Sequence, residues 1–158
     1  MKKLLKLIGA GLALLGTICM FFTQVTVKWM SEHQESIAIK ALVGGEFKYG
    51  GEFSGVGSGL AGYILLGAAA LILLVVALVP YFKDHELLSA VVSGLAVVCL
   101  IVGIVLLFLI RRNFAASIGA DEWPVVYVGW GAIAGGSLGS LAIIAGGTSV
   151  VLDVISNQ

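Results

Sequence analysis

The sequence predicts an all-α membrane fold: one bundle of four transmembrane helices, with a small antiparallel β-sheet in the first extracellular loop. Three observations carry the prediction. Charged residues make up 11% of the 158 residues and hydrophobic residues 59%, with a mean hydropathy of +1.10; an ordinary soluble domain has about 25% charged residues. Residues 7–27, 60–82, 87–110 and 125–152 contain no Asp, Glu, Lys, Arg or His. Each stretch is long enough to cross about 30 Å of hydrocarbon at about 1.5 Å per helical residue. Finally, 22 Gly stand against 2 Pro, a balance suited to helices that pack closely in lipid. The composition argues against a soluble enzyme. The 9 basic and 9 acidic residues cancel, so there is no basic field to draw nucleic acid.

The whole chain, 1–158, reads as a single four-span domain. Lys2, Lys3 and Lys6 precede the first stretch. This start resembles a signal peptide, but the apolar run is long and no small-x-small cleavage site follows, so the stretch reads as a retained anchor. Cys19 lacks the neighbours of a lipoprotein site. Four spans put both termini on one side, and the lysine cluster assigns that side to the cytoplasm. Lys28, Lys40, Lys48, Arg111 and Arg112 then lie outside, so the simple charge count runs the other way, an objection that the greater length of the first outer loop weakens without removing. Trp29, Trp123, Tyr127 and Trp130 fall at the proposed outer interface, where amphipathic rings sit at headgroup level. Tyr81 and Phe82 mark the inner one. The short connection 83–86 that follows makes the second and third helices antiparallel neighbours.

The segment 28–59 is the one sizeable polar loop. Ser36–Val43 reads as a strand, Gly44-Gly45 as a hairpin turn, and Glu46–Tyr49 as a return strand in which Glu46 and Lys48 alternate with Phe47 and Tyr49. Gly50-Gly51 suggests a bulge before Glu52 and Phe53. Gln24–Trp29 also alternates and extends the first helix into a third strand, and a strand from 113–123 would complete the sheet. The alternative is a flexible Gly-rich loop, because two strands alone are marginal in water.

Every predicted helix has a face of small residues. In the fourth span Gly131, Gly135 and Gly139 recur every four residues beside the row Ala132, Gly136 and Ser140. Ser89, Ser93, Ala96 and Gly103 form a seam in the third, Gly9, Ala13, Gly16 and Thr23 in the first, and Gly59, Gly62, Ala69 or Ala70, and Ala77 in the second. Such faces permit the backbone approach that drives helix association in lipid. Either they all pack the bundle internally, or the double row of the fourth span faces a partner and drives self-association.

The sequence supplies no catalytic constellation, no metal site and no cofactor motif. No ionisable residue lies within the four stretches, so a conducting path through this chain alone is not expected. His33 and His85 fall on opposite faces. Cys19 and Cys99 read as small hydrophobes. Asp121 and Glu122 before Trp123-Pro124 suit a helix start, and Arg111-Arg112 a stop after the third span.

The run Glu122-Trp123-Pro124-Val125-Val126-Tyr127-Val128-Gly129-Trp130, followed by Ala132, together with Trp29 beside Lys28, resembles the claudin and peripheral myelin protein tetraspan superfamily. The likeness covers the whole topology but only about a dozen residues in detail, by the spacing of these motifs. The chain departs from claudins in lacking the two first-loop cysteines and the Gly-Leu-Trp motif, in its shorter first loop and in its short end at Ile155-Ser156-Asn157-Gln158. The resemblance implies an outer sheet that contacts neighbouring molecules, with Trp29, Phe47 and Tyr49 as contact residues. The expected role is non-enzymatic lateral association, structural, adhesive or scaffolding, in the cell membrane. The expected partners are the lipid bilayer and either the protein itself or another integral membrane protein, with no nucleic acid and no small-molecule substrate. The alternatives are an auxiliary subunit of a transporter or channel, and an oligomeric pore-former.

Overall fold

The computed structural model describes residues 2–28, 34–46, 52–53, 55–117 and 125–156. Among the described residues six helices and five strands follow one another: α1 (Lys2–Ile18), β1 (Val25–Lys28), β2 (Gln34–Ile37), α2 (Lys40–Val43), β3 (Gly45–Glu46), β4 (Glu52–Phe53), α3 (Gly57–Leu78), α4 (Glu86–Phe108), α5 (Ile110–Ser117), β5 (Val125–Val128) and α6 (Trp130–Ser156). A 3₁₀ turn, Cys19–Phe21, prolongs α1, and another, Pro80–Lys83, joins α3 to α4. With its 3₁₀ extension, α1 joins α3, α4 and α6 as helices long and apolar enough to cross a membrane. The chain is a multi-pass membrane protein.

The four long helices are arranged in a ring. Helix α1 packs on α3 and α6, and α4 packs on the same two from the other side. Large aliphatic side chains cover the outside as well as the centre, where Leu66, Leu73, Leu100 and Leu107 are buried. Leu14, Leu15, Ile64, Leu71, Val91, Leu95, Leu141 and Ile144 point outward, whereas Ala13, Gly16, Ala69, Ala96, Gly103, Gly135 and Ala142 are buried. In lipid a large aliphatic side chain loses nothing by facing the solvent, so the positions where helices cross can be given to residues that let backbones approach. The small-residue seams predicted for the first three spans lie inside except at their ends, where Thr23, beyond α1, and Ala77 are half-buried.

The helix boundaries differ from those predicted. Helix α1 begins at Lys2 and so includes all three lysines, because the buried ammonium of Lys6 has a carboxylate partner. Helix α6 runs past Leu152 through Asp153, which is that partner. The predicted third span breaks at Leu109, and α5 turns away with Arg111 and Arg112. Residues 125–128, predicted as the start of the fourth span, form strand β5; an apolar run of β-branched residues suits either state, and pairing with β1 decides it.

The sheet at the end of the bundle opposite the termini has the order β2-β1-β5, antiparallel throughout. Val25 faces Ile37 on one side and Val128 on the other, and Lys28 faces Gln34 and Val125. The strand predicted from Gln24 onward is therefore central. The predicted hairpin at Gly44-Gly45 is replaced by a helical turn. Ala41 and Leu42 are both buried, and burial of consecutive residues fits a helical turn rather than an alternating strand. The turn closes with the Gly44 amide donating to the Lys40 carbonyl at 2.7 Å, and Gly44 takes φ +98°. Beyond it, β3 and β4 form a separate two-stranded pair, Gly45 opposite Phe53. Of the strand predicted within 113–123, residues 113–117 are helical and the remainder falls outside the described residues.

Beneath the sheet lies a compact apolar cluster. Val25, Val27, Leu42, Phe53, Phe114 and Val126 are buried there, with the rings of Phe53 and Phe114 edge to face at 5.5 Å between centroids.

Candidate functional site

Three constellations stand out, two at the sheet end and one at the end bearing the termini. The first is the junction of β1, β5 and α6. The Gly129 amide donates to the Gln24 carbonyl at 2.8 Å, and the Gly131 amide to the Thr23 carbonyl at 2.8 Å. A Cβ on Gly131 would stand 2.7 Å from that same oxygen. The start of the last span is thus joined directly to the end of the first. Around this junction lies an aromatic patch: Trp130, 57% exposed, stacks on Phe22 at 4.6 Å, Phe21 is exposed beside it, and Tyr127 is 48% exposed on β5. Tyr127 and Trp130, expected as interface anchors, are thus both exposed at the sheet end of the bundle. Trp123, Trp29, Phe47 and Tyr49 lie outside the described residues.

The small residues of the fourth span face inward. A Cβ on Gly135 would meet the Gly16 carbonyl at 3.2 Å and the Tyr63 ring at the same distance. On Gly136 it would meet the Phe108 ring at 3.1 Å, and on Gly139 Ile104 at 2.9 Å. Ser140 is half-buried, its hydroxyl returned to the Gly136 carbonyl at 2.8 Å. Gly131, Gly135, Gly136 and Gly139 are helix-packing positions. The alternative, in which this double row meets a partner, is corrected by their burial against α1, α3 and α4. A lateral partner of the assembled bundle meets other surfaces.

The second constellation is a polar knot around Gln24. Its amide nitrogen donates to the Cys19 carbonyl at 2.8 Å and the Phe22 carbonyl at 3.0 Å, and its side-chain oxygen accepts from the Tyr63 hydroxyl at 2.6 Å. Its backbone amide donates to Ile37 at 2.7 Å. One fully buried side chain thus bonds two carbonyls of the 3₁₀ turn that follows α1 and its cap, and ties the sheet to α3.

The third constellation had no counterpart in the sequence reading. Lys6 is only 5% exposed and Asp153 only 2%. The Lys6 ammonium donates to Asp153 Oδ2 at 2.8 Å and to Ser89 Oγ at 2.9 Å, and Ser89 donates to the same carboxylate oxygen at 2.9 Å. Lys2 reaches Glu86 at 2.9 Å and Asp153 Oδ1 at 3.7 Å. Helices α1, α4 and α6 are held together by charge where the ring ends. The cluster's visible signal was Asp153, one acidic residue just past the last apolar stretch and on the same side of the membrane as Lys6. Among the described residues no group of His, Cys, Asp and Glu is placed to hold a metal ion.

No family model, curated protein or solved structure matches the chain.

Proposed function

We propose that the protein is a non-enzymatic component of the cell membrane that works by lateral association with a second copy of itself, with its termini in the cytoplasm, like the claudin superfamily it resembles. The observation that carries this reading is the exposed aromatic surface beside the sheet. Among the described residues β5 has one strand neighbour, β1, and its Val126 carbonyl accepts from Arg111 Nε at 2.7 Å, so α5 holds the backbone of this strand and its exposed side chains are what a partner would meet. Tyr127 on that strand and Trp130 just after it supply exposed aromatic area of the kind that carries binding energy. Two features support a packing role over chemistry: the polar side chains buried at the Gln24 knot and in the Lys6–Asp153 cluster are engaged with one another, and the lipid-facing surface is aliphatic.

The test is energy transfer between donor- and acceptor-labelled copies of the full chain diluted into phosphatidylcholine vesicles. Transfer that persists on dilution, and falls about tenfold in apparent association for Tyr127→Lys with Trp130→Ala, a loss of roughly 1.4 kcal/mol, supports the reading. Absence of transfer in the unsubstituted protein overturns it. Labelling Glu46→Cys in intact cells with an impermeant thiol reagent reports which side the sheet occupies.

A further inference from the structure

A pocket of about 410 Å³ opens at the end of the bundle that carries the termini, among the ends of α1, α3, α4 and α6. Its charged lining comprises Lys2, Lys3, Lys6, Lys83, Glu86 and Asp153. Four ammonium groups thus face two carboxylates, and both carboxylates are already engaged by Lys2 and Lys6. Lys3 and Lys83 form no ion pair among the described residues, although they come from separate elements, α1 and the α3–α4 turn. Two spare positive charges converge on one cavity whose wall is fixed by the buried Lys6–Asp153–Ser89 cluster. The opposite wall is the apolar run from Val76 to Phe82, continuous with Leu78 and Val79 on the exposed, lipid-facing surface.

We infer that this pocket binds a phosphate-bearing ligand, with Lys3 and Lys83 as its ammonium donors, and that the source of the phosphate is the headgroup of an anionic membrane lipid. The volume falls within the roughly 300–1,000 Å³ of small-ligand sites. Ammonium groups at helix ends stand at headgroup depth, and basic pockets between spanning helices suit lipid phosphates. The apolar wall distinguishes the source. A free phosphate gains nothing from Val76, Leu78 and Val79, whereas an acyl chain leaving the pocket would lie along them. The carboxylates limit the site to a ligand small enough to meet Lys3 and Lys83 without displacing Lys2 from Glu86.

The experiment uses the full chain in phosphatidylcholine nanodiscs, with the unfolding midpoint and the bound lipid, counted by native mass spectrometry, followed as phosphatidylglycerol is added. Saturable retention of one phosphatidylglycerol and a raised midpoint are expected. Each lysine near a membrane surface is worth about fivefold in affinity, so Lys3→Gln with Lys83→Gln should weaken retention about 25-fold, while Lys40→Gln at the sheet end leaves it unchanged. Both substituted lysines are exposed and form no ion pair among the described residues, so the substitutions remove no buried contact, and the unfolding midpoint in phosphatidylcholine alone checks the fold. Inorganic phosphate or glycerol phosphate in the aqueous phase should produce no shift at millimolar concentration; an equal shift with either would overturn the lipid as source and leave the phosphate site standing. Phosphatidylglycerol retention that is non-saturable, or unchanged by the double substitution, overturns the site.

Discussion

Gly62 on α3 and Gly103 on α4 meet backbone to backbone: a Cβ on either one would stand 2.8 Å from the carbonyl oxygen of the other. Across the ring, Gly16 on α1 and Gly135 on α6 stand in the same reciprocal relation at 3.2 Å. The bundle is therefore closed by two glycine crossings, each joining one pair of antiparallel neighbours. Since lipid removes the hydrophobic gain from helix association, these approaches, with their dispersion contacts, hold the helices together.

Substitution at the crossings should be costly in proportion to the approach. Gly62→Ala or Gly103→Ala is expected to destabilise by about 1–3 kcal/mol through forced displacement of the helices, and Gly16→Ala by less. Gly94→Ala, on the same helix as Gly103, has nothing within 4 Å of the new methyl and should be neutral. Denaturant unfolding in mixed micelles separates the three cases.

Removing one member of the ion cluster should cost more than removing both. Asp153→Leu leaves the Lys6 ammonium buried without its carboxylate, a loss of about 3–5 kcal/mol for a buried pair. Lys6→Met combined with Asp153→Leu should recover most of that loss, leaving the Ser89 hydroxyl as the residual penalty. A double-mutant cycle on unfolding free energies reads the coupling directly.

The Gln24 knot gives a smaller effect. Tyr63→Phe removes the hydroxyl that donates to Gln24 at 2.6 Å and should cost about 1–2 kcal/mol. Gln24→Leu removes the bonds to the Cys19 and Phe22 carbonyls and to the Tyr63 hydroxyl together, so it should cost more. Thermal unfolding of the two variants, compared side by side, tests the order.

The sheet should show itself in amide exchange. The amides of Gln24, Gly129 and Gly131 donate across the junction to Ile37, Gln24 and Thr23 and should be protected, while a proline at Val27 in the central strand should expose both neighbouring strands at once. Fast exchange at all three amides in the unsubstituted protein would refute the paired sheet.

The four spans and their inward small-residue faces were legible because membrane depth imposes a length and close packing a spacing, both written locally. Gly62, Gly103, Gly16 and Gly135 all fall on seams visible in the sequence. The ends of the helices were less legible for a physical reason. A charge-free run marks where a helix crosses unaided, yet α1 and α6 extend further since Lys6 and Asp153, 147 residues apart, neutralise one another. No local pattern carries that. Likewise Val125–Val128 has the hydropathy of a helix, and only pairing with β1 makes it a strand. The turn at Lys40–Val43 was misread because its apolar residues are contiguous and its glycines suggested a hairpin.

The ring is joined twice between its first and last members, by β1 with β5 at one end and by Lys6 with Asp153 at the other. A chain made from its N-terminus therefore holds an uncompensated lysine and a half-paired strand throughout synthesis, until α6 emerges. The last helix acts as the keystone: α1, α3 and α4 have contacts with one another that do not involve it, but the ring and both of its joins close only when it arrives. Intermediates lacking it expose Lys6 and the β1 edge together, the two features by which a membrane quality-control system could distinguish unfinished chains from finished ones.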